Sequence, residues 1–261
     1  MQSTRTIPSR IKSVRLEDSW TEGYNEIILR PIQHNINAFD IMIQDLTEII
    51  LLSLKVSGIA LLLCALIGIP VGIWMGLTRF SGRKLVTAIL YTGMGFPPVV
   101  IGLFVYLLLS RNGLLGGLNS PFLPQLFTPG AMILAQTIIA FPLVAGFTMA
   151  AVMGVDPNLR LQVLSLGATK SQAALAVLHE ARVGVIAAIV AGFGSIISEV
   201  GAVMLVGGNI EGRTRVMTTA IVLETRKGNF ELALTLGIIL LGITFIANLA
   251  ILRLQGRTFG E

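Results

Sequence analysis

Residues 154–184 read GVDPNLRLQVLSLGATKSQAALAVLHEARVG, and residues 185–203 continue directly as VIAAIVAGFGSIISEVGAV. The first half is polar and helical in composition. The second is an apolar helix of the kind that sits in a membrane. Long apolar runs lie on both sides of the pair. A water-compatible helical insert between membrane-spanning stretches needs a purpose, and docking of a partner outside the bilayer is the one its composition suits. Gly167 separates LRLQVLSL from ATKSQAALAVLHEAR and permits a sharp turn between two short helices. Leu161, Leu164, Ala168 and Leu175 supply a small apolar knob, ringed by Arg160, Lys170 and Gln172. Such a knob fits a groove on a partner. The alternative is an amphipathic helix lying on lipid, but its apolar face is short and its charge low.

The totals agree. Of 261 residues, 54% are hydrophobic and only 13% charged, where soluble domains carry about 25% charge. This excludes a soluble enzyme class and leaves no room for a second large soluble domain beside the spans. The single cysteine, Cys64, lies in an apolar run, so no disulfide framework exists. The net charge of +5 reflects topology and lipid headgroups rather than nucleic acid, since no basic tract with interleaved aromatics occurs.

Working outward, residues 1–45 form a polar N-terminal tail of mixed charge, expected to be poorly ordered or to precede the true start at Met42. A first span is expected at 48–77, longer at about 1.5 Å per residue than the ~30 Å hydrocarbon core, with a bend at Pro70. A second, at 85–110, contains TGMGFPPVVIG. Pro97 and Pro98 remove two consecutive donors, so this span must break, either as a plain kink or because it faces a translocation path. A Gly/Pro-rich loop fills 111–130. A third span is expected at 131–153, centred on Pro142. The insert occupies 154–182, and a fourth span follows at 183–206, lined by Gly192, Gly194, Ser195, Ser198, Gly201 and Ala202, which permit close helix approach. Glu199 lies among them. A carboxylate inside a span costs roughly 2.5–3.5 kcal/mol, so it must face the bundle or a cavity, as a gate or as a hydrogen-bonding partner. Residues 207–231 are expected to form a polar loop, a fifth span occupies 232–254, and 257–261 end the chain.

No catalytic constellation is present. His34 and His179 lack partners at metal-ligand spacing, and neither a Walker lysine motif nor a nucleophile elbow occurs. Basic residues fall on both sides of the expected spans in similar number, so charge alone does not orient the chain.

The pattern LGATKSQAALAVL resembles the coupling-loop signature of ATP-binding-cassette (ABC) importer permeases. Gly167 matches the signature glycine, Ala168 the alanine after it, and Val177 the isoleucine position. Leu161, Gln162 and Val163 replace the family's Glu-Ala-Ala, while His179 and Glu180 replace its Leu-Pro. The stretch SEVGAVMLVGGNIEGRTRVMTTAIVLETRKGNFELALTLGIILL, from Ser198 to Leu241, is similar to the permeases of tungstate importers, relatives of the molybdate and sulfate permeases. The likeness spans about residues 39–256.

The resemblance implies an all-α integral membrane protein with about five spans, in the type I (MetI-like) importer permease fold. The permease domain would occupy 46–256. It implies import of an oxyanion through a homodimer in the cytoplasmic (inner) membrane of a prokaryote. The other partners would be two ATPase subunits holding ATP and Mg and an extracytoplasmic oxyanion-binding protein. This chain itself would hold no cofactor and catalyse nothing. Leu164, Gly167, Ala168, Lys170, Gln172 and Val177 would then serve coupling to the ATPase. Pro97, Pro98, Ser198, Glu199, Asn209, Arg213, Arg215 and Thr218 are the candidates for the path or its gates. Arg213 and Arg215 suit tetrahedral oxyanions, or else pair with Glu211 and Glu224. An ion-coupled secondary transporter with Glu199 as its ion site is the rival from another class, although no inverted repeat is evident.

Overall fold

The computed structural model describes residues 30–118 and 123–256. Residues 1–29 of the expected tail and the C-terminal residues 257–261 lie outside the described residues. The chain divides into two units, 1–47 and 48–261. Among the described residues all regular structure is helical. In chain order the helices are α1 (Arg30–Leu77), α2 (Arg83–Met94), α3 (Pro98–Leu109), α4 (Pro129–Met153), α5 (Pro157–Ser165), α6 (Lys170–Glu180), α7 (Arg182–Ile197), α8 (Gly201–Gly207), α9 (Met217–Arg226) and α10 (Phe230–Gly256).

The bundle is built on α4, which contacts α2, α3, α7 and α8. Buried side chains follow one another along it. Met132 and Ala135 pack with Val56, Val105 and Val203. Next come Ala140 and Val144 with Ala60, Cys64 and Ile196, then Ala145 and Met149 with Met75 and Leu90. Val152 ends the series against Val177 and Ala181. Lipid tails are as apolar as these side chains, so shape complementarity and close approach hold the helices together. The glycines of α1 supply that approach. A Cβ on Gly72 would lie 2.5 Å from the Ala145 carbonyl oxygen, and one on Gly76 2.6 Å from a Val152 methyl. The Cys64 Sγ–H donates to the Thr137 carbonyl at 3.2 Å, tying the same pair of helices. In contrast, 6% of the apolar window of α10 is buried against 50% for α4, so α10 presents its surface to lipid or to another chain.

Several expectations need correction. Helix begins at Arg30, so the last part of the expected tail is continuous with the first span. The second span, by contrast, breaks where the two prolines required it to, into α2 and α3, bent by 103°. The physical cause is Pro97–Pro98, which ends one ladder and begins another: Pro97 is extended (φ −61°, ψ 122°) and Pro98 opens α3 at a first-turn position, where its missing N–H is harmless. The fourth span is broken at Ser198–Val200 into α7 and α8. The expected polar loop at 207–231 contains a helix, α9, with Met217, Thr218, Thr219 and Ala220 buried. Its threonines pair inside the protein and cost little to bury once bonded.

Among the described residues, three single helices are long and apolar enough to cross a membrane, or up to five if each bent pair is joined. Pairing α6 with α7, at 66°, is the weaker of the two joins: Lys170, His179 and Glu180 of α6 are all exposed. We join α7 with α8 instead, which keeps the charged α6 outside the span.

Candidate functional site

Two features stand out: a helical hairpin at one end of the bundle, and a layer of interrupted helices within it.

The hairpin is α5–α6. Its start is fixed by Asp156, whose carboxylate accepts from the Asn158 N–H at 2.9 Å, with Pro157 at the first helical position. Its turn is a Schellman closure: the Gly167 N–H donates to the Leu164 carbonyl at 3.0 Å and the Ala168 N–H to Val163 at 3.3 Å. Gly167 takes φ +89°, the left-handed region that a glycine adopts without cost. The second helix starts in a capping box. Gln172 N–H donates to Thr169 Oγ1 at 3.3 Å, and the Thr169 N–H to Gln172 Oε1 at 2.8 Å.

The hairpin's root is packed and its tip is bare. Val177 and Ala181 are buried against Val152 and flanked by Ile73 and Leu77. The Arg160 guanidinium reaches across to donate to the Leu77 carbonyl, the last of α1, at 3.2 Å. Leu166 at the turn is 87% exposed, and Leu161 and Leu175 along the two helices are 64% and 66% exposed. The expected coupling residues therefore separate. Gly167 and Lys170 are exposed at the turn, while Leu164 and Ala168 are half-buried. Val177 is a buried root and not a docking contact. Gln172, expected on the rim, spends its side chain on the helix cap. Leu166, the barest of these three leucines, was missed because its position after the helix end is set by the turn geometry.

The interrupted layer brings together residues far apart in sequence. The Gly95–Pro98 break and the Ser198–Val200 break meet: a Cβ on Gly201 would collide with the side chain of Val99. Ala202 packs so closely on Gly102 that a Cβ there would lie 2.5 Å from the Ala202 Cα. Gly93 adjoins the Pro142 ring, 2.9 Å from a built Cβ. The freed backbone groups are satisfied from neighbouring helices, as lipid requires. Gln136 Nε2 donates to the Ile196 carbonyl at 3.2 Å. Thr218 Oγ1 donates to the Glu199 carbonyl at 3.0 Å. Glu199 is 7% exposed, and its Oε1 accepts from the Ala202 N–H at 2.8 Å, capping the start of α8.

Among the path candidates, Ser198, Glu199 and Thr218 thus converge beside the break after Pro97. Ser198 is exposed and bonds back to the Gly194 carbonyl at 2.7 Å. Gln136 was missed; its one signal was a lone amide in an apolar span. Asn209, Arg213 and Arg215 lie apart from this layer in the turn between α8 and α9. Asn209 has φ +50° and a buried Oδ1 without a partner among the described residues. Arg215 pairs with Glu211 at 3.3 Å, and Arg213 is exposed. Glu224 bonds Lys227 at 2.8 Å and Asn229 at 3.2 Å. The hydrogen bond from Lys227 is the main cause that holds this carboxyl below the usual glutamate range.

The comparisons with known proteins fit this geometry. The family described as binding-protein-dependent transport system inner membrane component matches residues 68–259. A probable anion ABC transporter permease protein of Haloferax volcanii is 43% identical over 227 residues, covering 85% of this chain and 96% of its own length. The tungstate uptake system permease protein TupB of Peptoclostridium acidaminophilum is 40% identical, covering 79% of this chain and 89% of that protein. The molybdenum transport system permease protein ModB of Escherichia coli K12 is 30% identical over 66% of this chain and 77% of that protein. A crystal structure of an amino acid ABC transporter shares the fold, with a TM-score of 0.57 at 20% identity, covering 85% of this chain and 95% of that one. With interrupted spans packed on a central helix and a family match across most of its length, the chain belongs to the inner membrane components of binding-protein-dependent transport systems, an ABC permease that is not itself a catalyst.

Proposed function

We propose that this chain imports a tetrahedral oxyanion, tungstate before molybdate or sulfate, by alternating access driven from outside the membrane. Permeases of this family work with an ATPase and a substrate-binding protein. On this reading the full machine has two copies of this chain, two ATPase subunits that bind and hydrolyse ATP with Mg, and an extracytoplasmic oxyanion-binding protein. The permease itself uses no cofactor. The observation that carries the proposal is the α5–α6 hairpin, rooted by Val177 and Arg160 yet bare at Leu161, Leu166 and Leu175. Its tip suits a groove on an ATPase, with Gly167 and Lys170 at the contact. Closure of the ATPase pair would push both hairpins, and rigid helices would carry that push into the bundle as a rocking of the two halves. The interrupted layer at Pro97–Pro98 and Ser198–Glu199, with Thr218 beside it, is the place where the bundle can open. Asn209, Arg213 and Arg215 would guide the anion at the mouth. Tungstate rests on the named relatives.

The ion-coupled reading centred on Glu199 is not favoured: one carboxylate oxygen is committed to capping α8. The test is uptake into proteoliposomes containing the permease, its ATPase and its binding protein. Tungstate, molybdate and sulfate are supplied in turn, with and without ATP on the ATPase side. ATP-dependent accumulation of tungstate above the other two is expected. Accumulation without ATP, driven by a proton or sodium gradient, would overturn the reading.

A further inference from the structure

Beside the hairpin root lies a cavity of about 430 Å³ that transport does not explain. Its wall includes Leu77, Arg79, Arg83, Asp156, Arg160 and Val177. Three guanidinium groups thus face one carboxylate, and that carboxylate already accepts from the Asn158 N–H. None of the three arginines has a carboxylate within 4.0 Å among the described residues. Arg160 donates through Nη1 to the Leu77 carbonyl, and its Nε is buried with no partner among the described residues. Arg83 rests its Nη2 on the Met153 sulfur at 3.2 Å, a poor acceptor. Two helices, α2 and α5, begin at this cavity, so their positive ends add to the field.

Three guanidinium groups on one half-enclosed cavity, none with a carboxylate partner among the described residues, form a donor set open to an anionic acceptor. We propose that this cavity binds a phosphate or similar tetrahedral oxyanion group, held by Arg79, Arg83 and Arg160. The volume holds such a group with several waters, each taking about 30 Å³. The group would come from a lipid headgroup or from a free ion. Occupied, the site ties the end of α1 and the start of α2 to α5, and so stiffens the root of the hairpin. The proposal stands whether or not the chain transports tungstate.

The test uses the full chain in lipid nanodiscs. One arm titrates inorganic phosphate calorimetrically in phosphatidylcholine discs. The other releases the chain from discs containing phosphatidylglycerol and counts retained lipid by native mass spectrometry. Saturable binding is expected in at least one arm. Arg79→Gln with Arg83→Gln should weaken it roughly thirtyfold, about fivefold per arginine. Lys84→Gln, the neighbouring exposed cation that does not line the cavity, should leave it unchanged. Arg79→Gln alone alters an exposed side chain, so it keeps the test open if the double variant misfolds; a fivefold loss is expected. Phosphate binding marks a free ion as the source, and retained phosphatidylglycerol without phosphate binding marks the headgroup. Absence of binding in both arms, no loss in the arginine variants, or an equal loss in Lys84→Gln overturns the proposal.

Discussion

Replacing Gly167 tests whether the hairpin turn matters through its backbone or through its lack of a side chain. Among the described residues a Cβ at this position would meet nothing within 4 Å, so no internal clash follows from a substitution. The backbone, however, sits at φ +89°. An L-residue with a Cβ pays about 1–2 kcal/mol in the left-handed region. That lowers the ratio of formed to unformed turn about 5–30-fold. Asn tolerates the region better because its side chain bonds locally, and a β-branched residue is the worst fit. The expected order of remaining function is therefore Gly167, then Asn, then Ala, then Val. The assay is ATP-driven uptake in proteoliposomes, with ATP hydrolysis measured in parallel. Gly167→Val should hydrolyse ATP with little uptake and keep its spans inserted, while Gly167→Asn retains most uptake. Full uptake in Gly167→Val would refute the role of the turn. Equal loss in Asn and Val would show that the partner surface excludes any side chain, and that backbone strain is not the cause.

The interrupted layer yields three more expectations. Glu199→Ala removes the cap on the Ala202 N–H and should cost about 0.5–2 kcal/mol, lowering the thermal unfolding midpoint. Glu199→Gln keeps an acceptor oxygen and should retain both stability and uptake; loss of uptake in Gln would mean that the charge itself is needed. Gly102→Ala places a Cβ 2.5 Å from the Ala202 Cα, so α3 and α8 must part at a cost of about 1–3 kcal/mol. Because the clash is with backbone, Ala202→Gly should fail to restore the midpoint, and full rescue would contradict the geometry. Ser53 Oγ accepts the buried Met217 N–H at 2.8 Å, so Ser53→Ala should destabilise by about 1–3 kcal/mol; Ser53→Thr should be milder, and equal unfolding midpoints for the two would count against the bond.

Much of the plan was legible in the residues. Apolar runs of sufficient length mark α1, α4 and α10, because a membrane span must satisfy its own backbone and can do so only as helix. Pro97–Pro98 announced a break, since neither residue can donate. The α5–α6 hairpin could be read from Gly167, and its capping box from Thr169 and Gln172, although Gln172 had been given a rim role. These are local signals, fixed by steric and hydrogen-bonding rules within a few residues.

What the residues alone did not decide is which breaks meet and which polar groups they satisfy. Ser198–Val200 carries no proline, and the run through it is apolar enough to pass as one span. The interruption is held by partners remote in sequence: Gln136 bonding Ile196, and Thr218 bonding Glu199. Helix α9 was hidden for the same reason, since its first N–H is satisfied by Ser53 of α1. Val177 matched a family pattern in one dimension, but only packing against Val152 showed it to be a root and not a tip. Sequence thus determined where helices must exist, because backbone hydrogen bonding in lipid is local. Tertiary structure decided where they stop and what they expose, because a freed carbonyl or N–H inside a membrane can persist only where another helix supplies its partner.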